Sequence, residues 1–268
     1  MKLKTMTLLL LTITLGSCAT TQTTAKKDTT EQDKTVTKEF HIKDFHGISA
    51  SNVITIHFTQ TNKYSMRVEC TPKELELLKM SVRDGILMLG RKNEDQKRYH
   101  NSTRVHIYIE APTLSSLDLS GVCNFETESL KTEDFSVNAS GVSKVIIGLL
   151  NCKDLVYNQS GVGKSTVHIK AHDVTLNLSG VSECTSDIAS EKLSIHDSGT
   201  SKSNIRFKGE SVRIAASGTS TNVLNVDCQK LYARNSGVSR IILKGNADET
   251  EIHSSGVSKI DTSELNKY

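Results

Sequence analysis

Serine is the residue type whose placement in this chain first invites a chemical reading. Ser120, Ser140, Ser160, Ser179, Ser198, Ser217, Ser236 and Ser255 stand 20, 20 and then five times 19 residues apart. Each is followed by glycine: Gly121, Gly141, Gly161, Gly180, Gly199, Gly218, Gly237 and Gly256. A serine hydroxyl becomes a nucleophile only beside a group that takes its proton. Catalysis needs one activated copy, whereas eight equivalent ones describe a structural ladder. The six cysteines have no zinc-type spacing, and the nine histidines contain no HExxH pattern. No catalytic residue, metal or cofactor is therefore expected.

Charge follows the same period. Four residues after the serines stand Asn124, Lys144, Lys164, Glu183, Lys202, Thr221, Arg240 and Lys259. Its basic members, Lys144, Lys164, Lys202, Arg240 and Lys259, form a candidate binding stripe for an anionic glycan or a protein. The segment before each serine is acidic instead, with Glu133, Asp134, Asp154, Asp173, Glu191, Glu210, Asp248 and Glu249. The plainer reading is that such charges keep exposed sheets from pairing with one another.

A period of 19 to 20 residues has to be built from short elements. Three positions before the serines stand Leu117, Val137, Tyr157, Leu176, Ile195, Ile214, Ala233 and Ile252, with Phe135, Leu155, Val174, Leu193, Val212 and Leu231 two residues earlier. Polar residues fill most of the places between, the alternation of a strand with one buried face. Two residues after the serine comes valine or threonine, and a second alternating run follows. Two strands and a corner use up the repeat, so it has no room for a helix. The expected fold is all-β, a parallel β-solenoid with 19- to 20-residue coils. Stacked at the strand spacing, eight coils make a rod about 38 Å long. The Ser-Gly pair marks the corner, where glycine permits a backbone that a β-carbon opposes. Cys152 and Cys228 share one small-residue column four coils apart, about 19 Å. That exceeds the limit of about 7 Å between disulfide-bonded α-carbons, and no structural disulfide is expected.

The N-terminus carries an address. Lys2 and Lys4 precede an apolar run, Met6 to Leu15, too short to cross a bilayer and suited to a secretory leader. Leu15-Gly16-Ser17-Cys18 resembles a bacterial lipobox, which implies cleavage after residue 17 and acylation of Cys18. Residues 18–35 are threonine-rich with no apolar period and read as a solvated tether. Within it, Asp28-Thr29-Thr30 resembles a Bacteroidetes O-glycosylation acceptor. Removing the leader leaves 31 basic residues against 30 acidic ones. That balance excludes a general attraction to nucleic acid.

Residues 36–118 lack the repeat phrase and read as an irregular β-rich cap or early coils, with 119–268 as the regular solenoid. VITIHF, YSMRVEC and VHIYIEAP are strands, and Asp84-Gly85 is a hairpin turn between MSVR and ILML. Thr71-Pro72-Lys73-Glu74 opens a short helix through about Lys79. Little chain follows the last corner, which leaves end-to-end association of rods open.

The SGVSK-type corners, with FHIKDFHGISASNVITIHFTQ and YSMRVECTPKELELLKMSVRDGILML, resemble the family described as putative auto-transporter adhesin, head GIN domain. The resemblance spans roughly residues 37–262. It implies an exported right-handed β-helical protein, often a lipoprotein, of a kind common in Bacteroidetes. It supplies no catalytic residues. The expectation is a non-catalytic adhesion or binding module held to the outer membrane by its lipid, at the cell surface or the periplasmic face. The alternatives are a structural or regulatory envelope component and a β-helical polysaccharide-processing enzyme. The enzyme would need acids, or a base with a metal, converging on one coil.

Overall fold

The computed structural model describes residues 34–92 and 104–267. The leader, Cys18, the Asp28-Thr29-Thr30 triplet and almost all of the tether lie outside them. The described strands join in one 18-stranded sheet that winds as a parallel solenoid, as the period predicts.

Each coil has two faces. Face one precedes the Ser-Gly corner, where β8 (Ser116–Leu119), β10 (Asp134–Ala139) and β12 (Asp154–Gln159) stack in parallel. Face two follows it, where β9 (Val122–Lys131) and β11 (Val142–Asn151) do the same. From there the two faces run together as one long strand per coil: β13 (Val162–Leu178), β14 (Val181–Asp197), β15 (Thr200–Ala216), β16 (Thr221–Asn235) and β17 (Arg240–Ser254). The chain closes with β18 (Lys259–Lys267). Inside each long strand the in–out alternation slips once, at exposed pairs such as Glu191-Lys192 and Gln229-Lys230. That slip is a second corner, and it carries the acidic residues.

The alternating apolar columns point inward. Leu117, Val137, Ile195, Ile214 and Ala233 are wholly buried, and Phe125, Phe135, Tyr157 and Phe207 are large buried side chains of the regular coils. Burying a side chain of that size contributes about 1.5–3 kcal/mol. The interior beside the first corner is polar. Ser143, Ser182, Ser201, Ser220 and Ser239 share one buried column, three residues past the corner serine. Asn222 is fully buried; it accepts from Ser203 Oγ at 2.5 Å and donates to Ser220 Oγ at 3.1 Å. Asp197 accepts from Ser201 Oγ at 2.5 Å, and Asn235 donates to the carbonyls of Ser239 and Lys259.

The corner explains its glycine. Val142 N donates to Gly121 O at 2.7 Å, a bond repeated from coil to coil. Gly141 has φ 71°, and a β-carbon there would lie 2.4 Å from Gly121 O. Corner serines bond along the rod to the carbonyl of the coil before, as in Ser140 Oγ to Leu119 O at 3.1 Å.

The change of spacing from 20 to 19 also has a structural cause. Against β13, the register of β11 shifts between Ile147 and Leu150, so Gly148 and Leu149 oppose His168 alone. This is a β-bulge, one residue inserted without disturbing the inward columns on either side.

The N-terminal part is wound out of order. β2 (Gly47–Ala50) and β3 (Val53–Gln60) form a full coil that pairs directly with β8 and β9. Its corner is Ser51-Asn52, with Asn52 at φ 76° and its carbonyl accepting from Val122 N. On the other side of that coil lie β6 (Ile86–Arg91) and β7 (Val105–Ala111), also parallel. β4 (Ser65–Cys70) pairs antiparallel with β7, β1 (Val36–Phe40) with β4, and β5 (Leu78–Arg83) with β6. The β5–β6 hairpin turns at Asp84 and Gly85, both at positive φ. The helix α1 (Pro72–Leu77) begins as the sequence indicates, with Thr71 Oγ1 accepting from Glu74 N at 3.3 Å. It ends two residues earlier than expected because Leu78 and Lys79 are already paired in β5.

Candidate functional site

The repeat places its most distinctive surface beside the first corner, on face two. Two residues past each corner serine the side chain points outward, and six of these are valines. Their exposure runs from 36% at Val122 to 81% at Val257, with Val142, Val162, Val181 and Val238 between. Exposed apolar residues normally scatter singly, so an aligned row is a notable feature. The next outward column is the basic one. Lys144, Lys164, Glu183 and Lys202 are register partners in turn, followed by Thr221, Arg240 and Lys259. Lys164 Nζ is 3.0 Å from Glu183 Oε1. Lys144, Lys202, Arg240 and Lys259 form no ion pair among the described residues, although Arg240 and Lys259 face the Asp261 carboxyl, which Ser263 and then these two cations hold below its ordinary value. Beyond them the third outward column includes half-buried Ile146, Val223 and Ile242.

The second corner has the opposite character. Asp134, Asp154 and Asp173 are register partners, and Glu133, Glu191, Glu210, Asp248 and Glu249 extend the acidic edge. Here the structure gathers Asp154, His172 and Asp173, whose ligand-type atoms lie within 4.8 Å of one another. Sequence spacing does not associate them, because Asp154 belongs to the preceding coil. His172 is occupied by Asp173 at 3.3 Å and Glu191 at 3.0 Å, all of them partly exposed.

Two more features were not legible in the sequence. A groove of 420 Å³ runs along face two beyond the Leu149 bulge, lined by His168, Lys170, Asp187, Arg206, Lys208 and Asp227 among others. Most of its charges pair internally. Arg206 grips Asp187 through two bonds of 2.5 and 2.7 Å, and Lys208 meets Asp227 at 3.0 Å. The Arg206 guanidinium holds the Asp187 carboxyl below its ordinary value. The second feature is a ladder across the N-terminal strands. Arg67 lies over Tyr108 at 4.2 Å, Tyr108 stacks on His57 at 4.4 Å, and His57 pairs with Glu126. His57 Nε2 is 3.1 Å from His106 Nδ1. Burial, then the neighbouring His57 and Arg104, lower the His106 pKa from 6.5.

Among the described residues, the corner serines and the cysteines show no activation as nucleophiles. Corner hydroxyls of Ser120, Ser140, Ser179, Ser217, Ser236 and Ser255 donate to backbone carbonyls. All five described cysteines are free and buried, and burial pushes Cys123, Cys152, Cys184 and Cys228 up to about 11. Such thiols are protonated and inert at neutral pH. No described helix is long and apolar enough to cross a membrane.

This fold and surface define a parallel β-solenoid that displays repeated outward columns. The chain belongs to the family described as "Putative auto-transporter adhesin, head GIN domain", whose model matches residues 44–202 and 187–267. Membership of an adhesin family associates it with the cell envelope. A putative adhesin from Bacteroides fragilis is 21% identical with a TM-score of 0.66, covering 86% of this chain and 98% of that one. A putative lipid binding protein from Parabacteroides distasonis is 17% identical with a TM-score of 0.70, covering 87% and 96%. A putative adhesin from Parabacteroides merdae is 17% identical with a TM-score of 0.56, covering 85% and 95%. Likeness at this identity establishes the fold. No curated protein matches the sequence.

Proposed function

We propose that the chain is a non-catalytic module of the outer membrane, anchored by acylated Cys18, that binds an anionic partner through its first-corner edge. The observation that carries this reading is the register of Lys144, Lys202, Arg240 and Lys259, which aligns exposed cations on one side of the rod. Spaced cations suit a partner held at many weak contacts better than a substrate held at one centre. The idle serines and thiols argue in the same direction, as does the family's adhesin description.

The test is protease treatment of intact cells, with a known periplasmic protein as control. Cleavage of the rod while the control survives supports display at the cell surface. Protection until lysis would turn the reading towards a structural or regulatory role inside the envelope. Metabolic labelling with an alkyne fatty acid tests the anchor. Label should enter the wild-type chain and be lost in Cys18→Ala.

A further inference from the structure

We infer that the partner of the first-corner edge is a bilayer surface carrying anionic headgroups. This rests on the reading of that edge as the contact surface, and it names the chemistry that would meet it. The outermost column is aliphatic, and valine at six of eight positions offers only apolar contact. The basic column lies two residues further along each strand, about 7 Å away. An apolar row beside flexible cations is the arrangement that settles at a membrane interface. The apolar side chains enter the acyl boundary while each lysine stem reaches past them to a phosphate.

The other partners fit this edge less well. Sugar rings stack on aromatic faces, and none of the three outward columns holds an aromatic residue between Val122 and Asp261. Protein interfaces concentrate their energy in tyrosine, tryptophan and arginine, of which the edge has Arg240 alone. Two copies meeting through the same edge would set Lys144, Lys202, Arg240 and Lys259 against their own kind. Across the rod, the acidic second corner would be repelled by an anionic surface. A rod with one basic and one acidic edge therefore has a defined side down, and it lies along the surface rather than standing on it.

The test uses residues 19–268, which keep every described strand and its pairings but lack the leader and the lipid. Co-sedimentation is measured with vesicles of phosphatidylcholine, with and without phosphatidylglycerol. Binding is expected to the anionic vesicles and to weaken with salt. Replacing Lys144, Lys202, Arg240 and Lys259 with glutamine should weaken it about fivefold for each charge removed. A Val142→Ser, Val162→Ser, Val238→Ser variant should weaken it as well. Glutamine at Lys153, Lys192 and Lys230, on the second corner, should leave it unchanged. Circular dichroism confirms that each variant keeps its fold.

Equal binding by the first-corner and second-corner variants would overturn the inference, as would no binding to anionic vesicles. A polygalacturonate column separates the two readings. Retention there that depends on the same four cations, without vesicle binding, would keep the edge as a contact surface and sink the bilayer as its partner. Absence of both would sink both readings.

Discussion

The regular coils from Ser116 onward and the N-terminal coils before them share one core but reach it by different routes. In the regular part each coil pairs with the next in sequence, so one phrase of 19 or 20 residues specifies strand, corner and register together. In the N-terminal part the chain lays down a coil, β2–β3, moves beyond it, and returns to pair β8 on its other side. Repetition makes structure local and legible. Non-sequential winding frees the side chains from the repeat, and the irregular surface chemistry of Arg67, Tyr108 and His57, which reaches Glu126 of the first regular coil, appears there.

The largest expected effect tests what the repeat depends on. Gly141→Ala places a β-carbon 2.4 Å from Gly121 O at a residue with φ 71°. Strain and displaced backbone together should cost about 3 kcal/mol, read as a lowered urea midpoint. A loss below about 1 kcal/mol would mean that the corner relaxes freely and that glycine is not what sets it.

Next is the polar interior beside the first corner of the regular coils. Asn222→Ala leaves the buried Ser203 and Ser220 hydroxyls without their amide partner. The expected loss is about 1–3 kcal/mol by chemical denaturation. Asn222→Leu being as stable as wild type would show that the buried column needs shape rather than hydrogen bonds.

These two sites mark the limit of what the sequence discloses. The serine period and the apolar columns reveal the solenoid, because periodicity encodes direction wherever neighbours repeat. The same period does not say that Val142, Val162 and Val257 face solvent while Ser182 and Ser201 face the core. Side-chain polarity there runs against the pattern, and only the phase of the strand decides it. The basic column was visible because charge recurs at one offset. The Arg67–Tyr108–His57–Glu126 ladder was not, because its members come from four strands whose pairing follows no period. Asn52 hid the earliest corner in the same way. Ala50-Ser51-Asn52-Val53 matches Ala139-Ser140-Gly141-Val142 except at the glycine.

A smaller effect separates the regions by pH. The folded chain holds the His106 proton less tightly than the unfolded chain, whose histidine titrates near 6.5. The stability linked to this group is complete above that value and is lost as pH falls through it, because the unfolded state then takes up the proton first. Melting temperature should therefore fall more steeply between pH 7 and pH 5 for the wild type than for His106→Asn. Parallel curves for the two proteins would place the acid sensitivity elsewhere.

The smallest effect is the sharpest comparison. Asn52 and Gly121 occupy equivalent corners in adjacent coils, both at positive φ, and asparagine is among the residues that tolerate that region best. Asn52→Gly should therefore change stability by no more than about 0.5 kcal/mol, since relieved strain offsets a more flexible unfolded chain. Its Nδ2 bond to Ser51 Oγ is long, at 3.3 Å, and partly exposed, so little is lost with it. Gly121→Asn makes the reverse exchange, but a β-carbon there would lie 2.7 Å from Asn52 N and should destabilise by several times as much. An asymmetric pair of results would assign glycine's role in the regular coils to close stacking on the coil before, and not to positive φ alone. Equal small effects would make the two corners interchangeable and reduce the difference between the regions to the order in which their strands are wound.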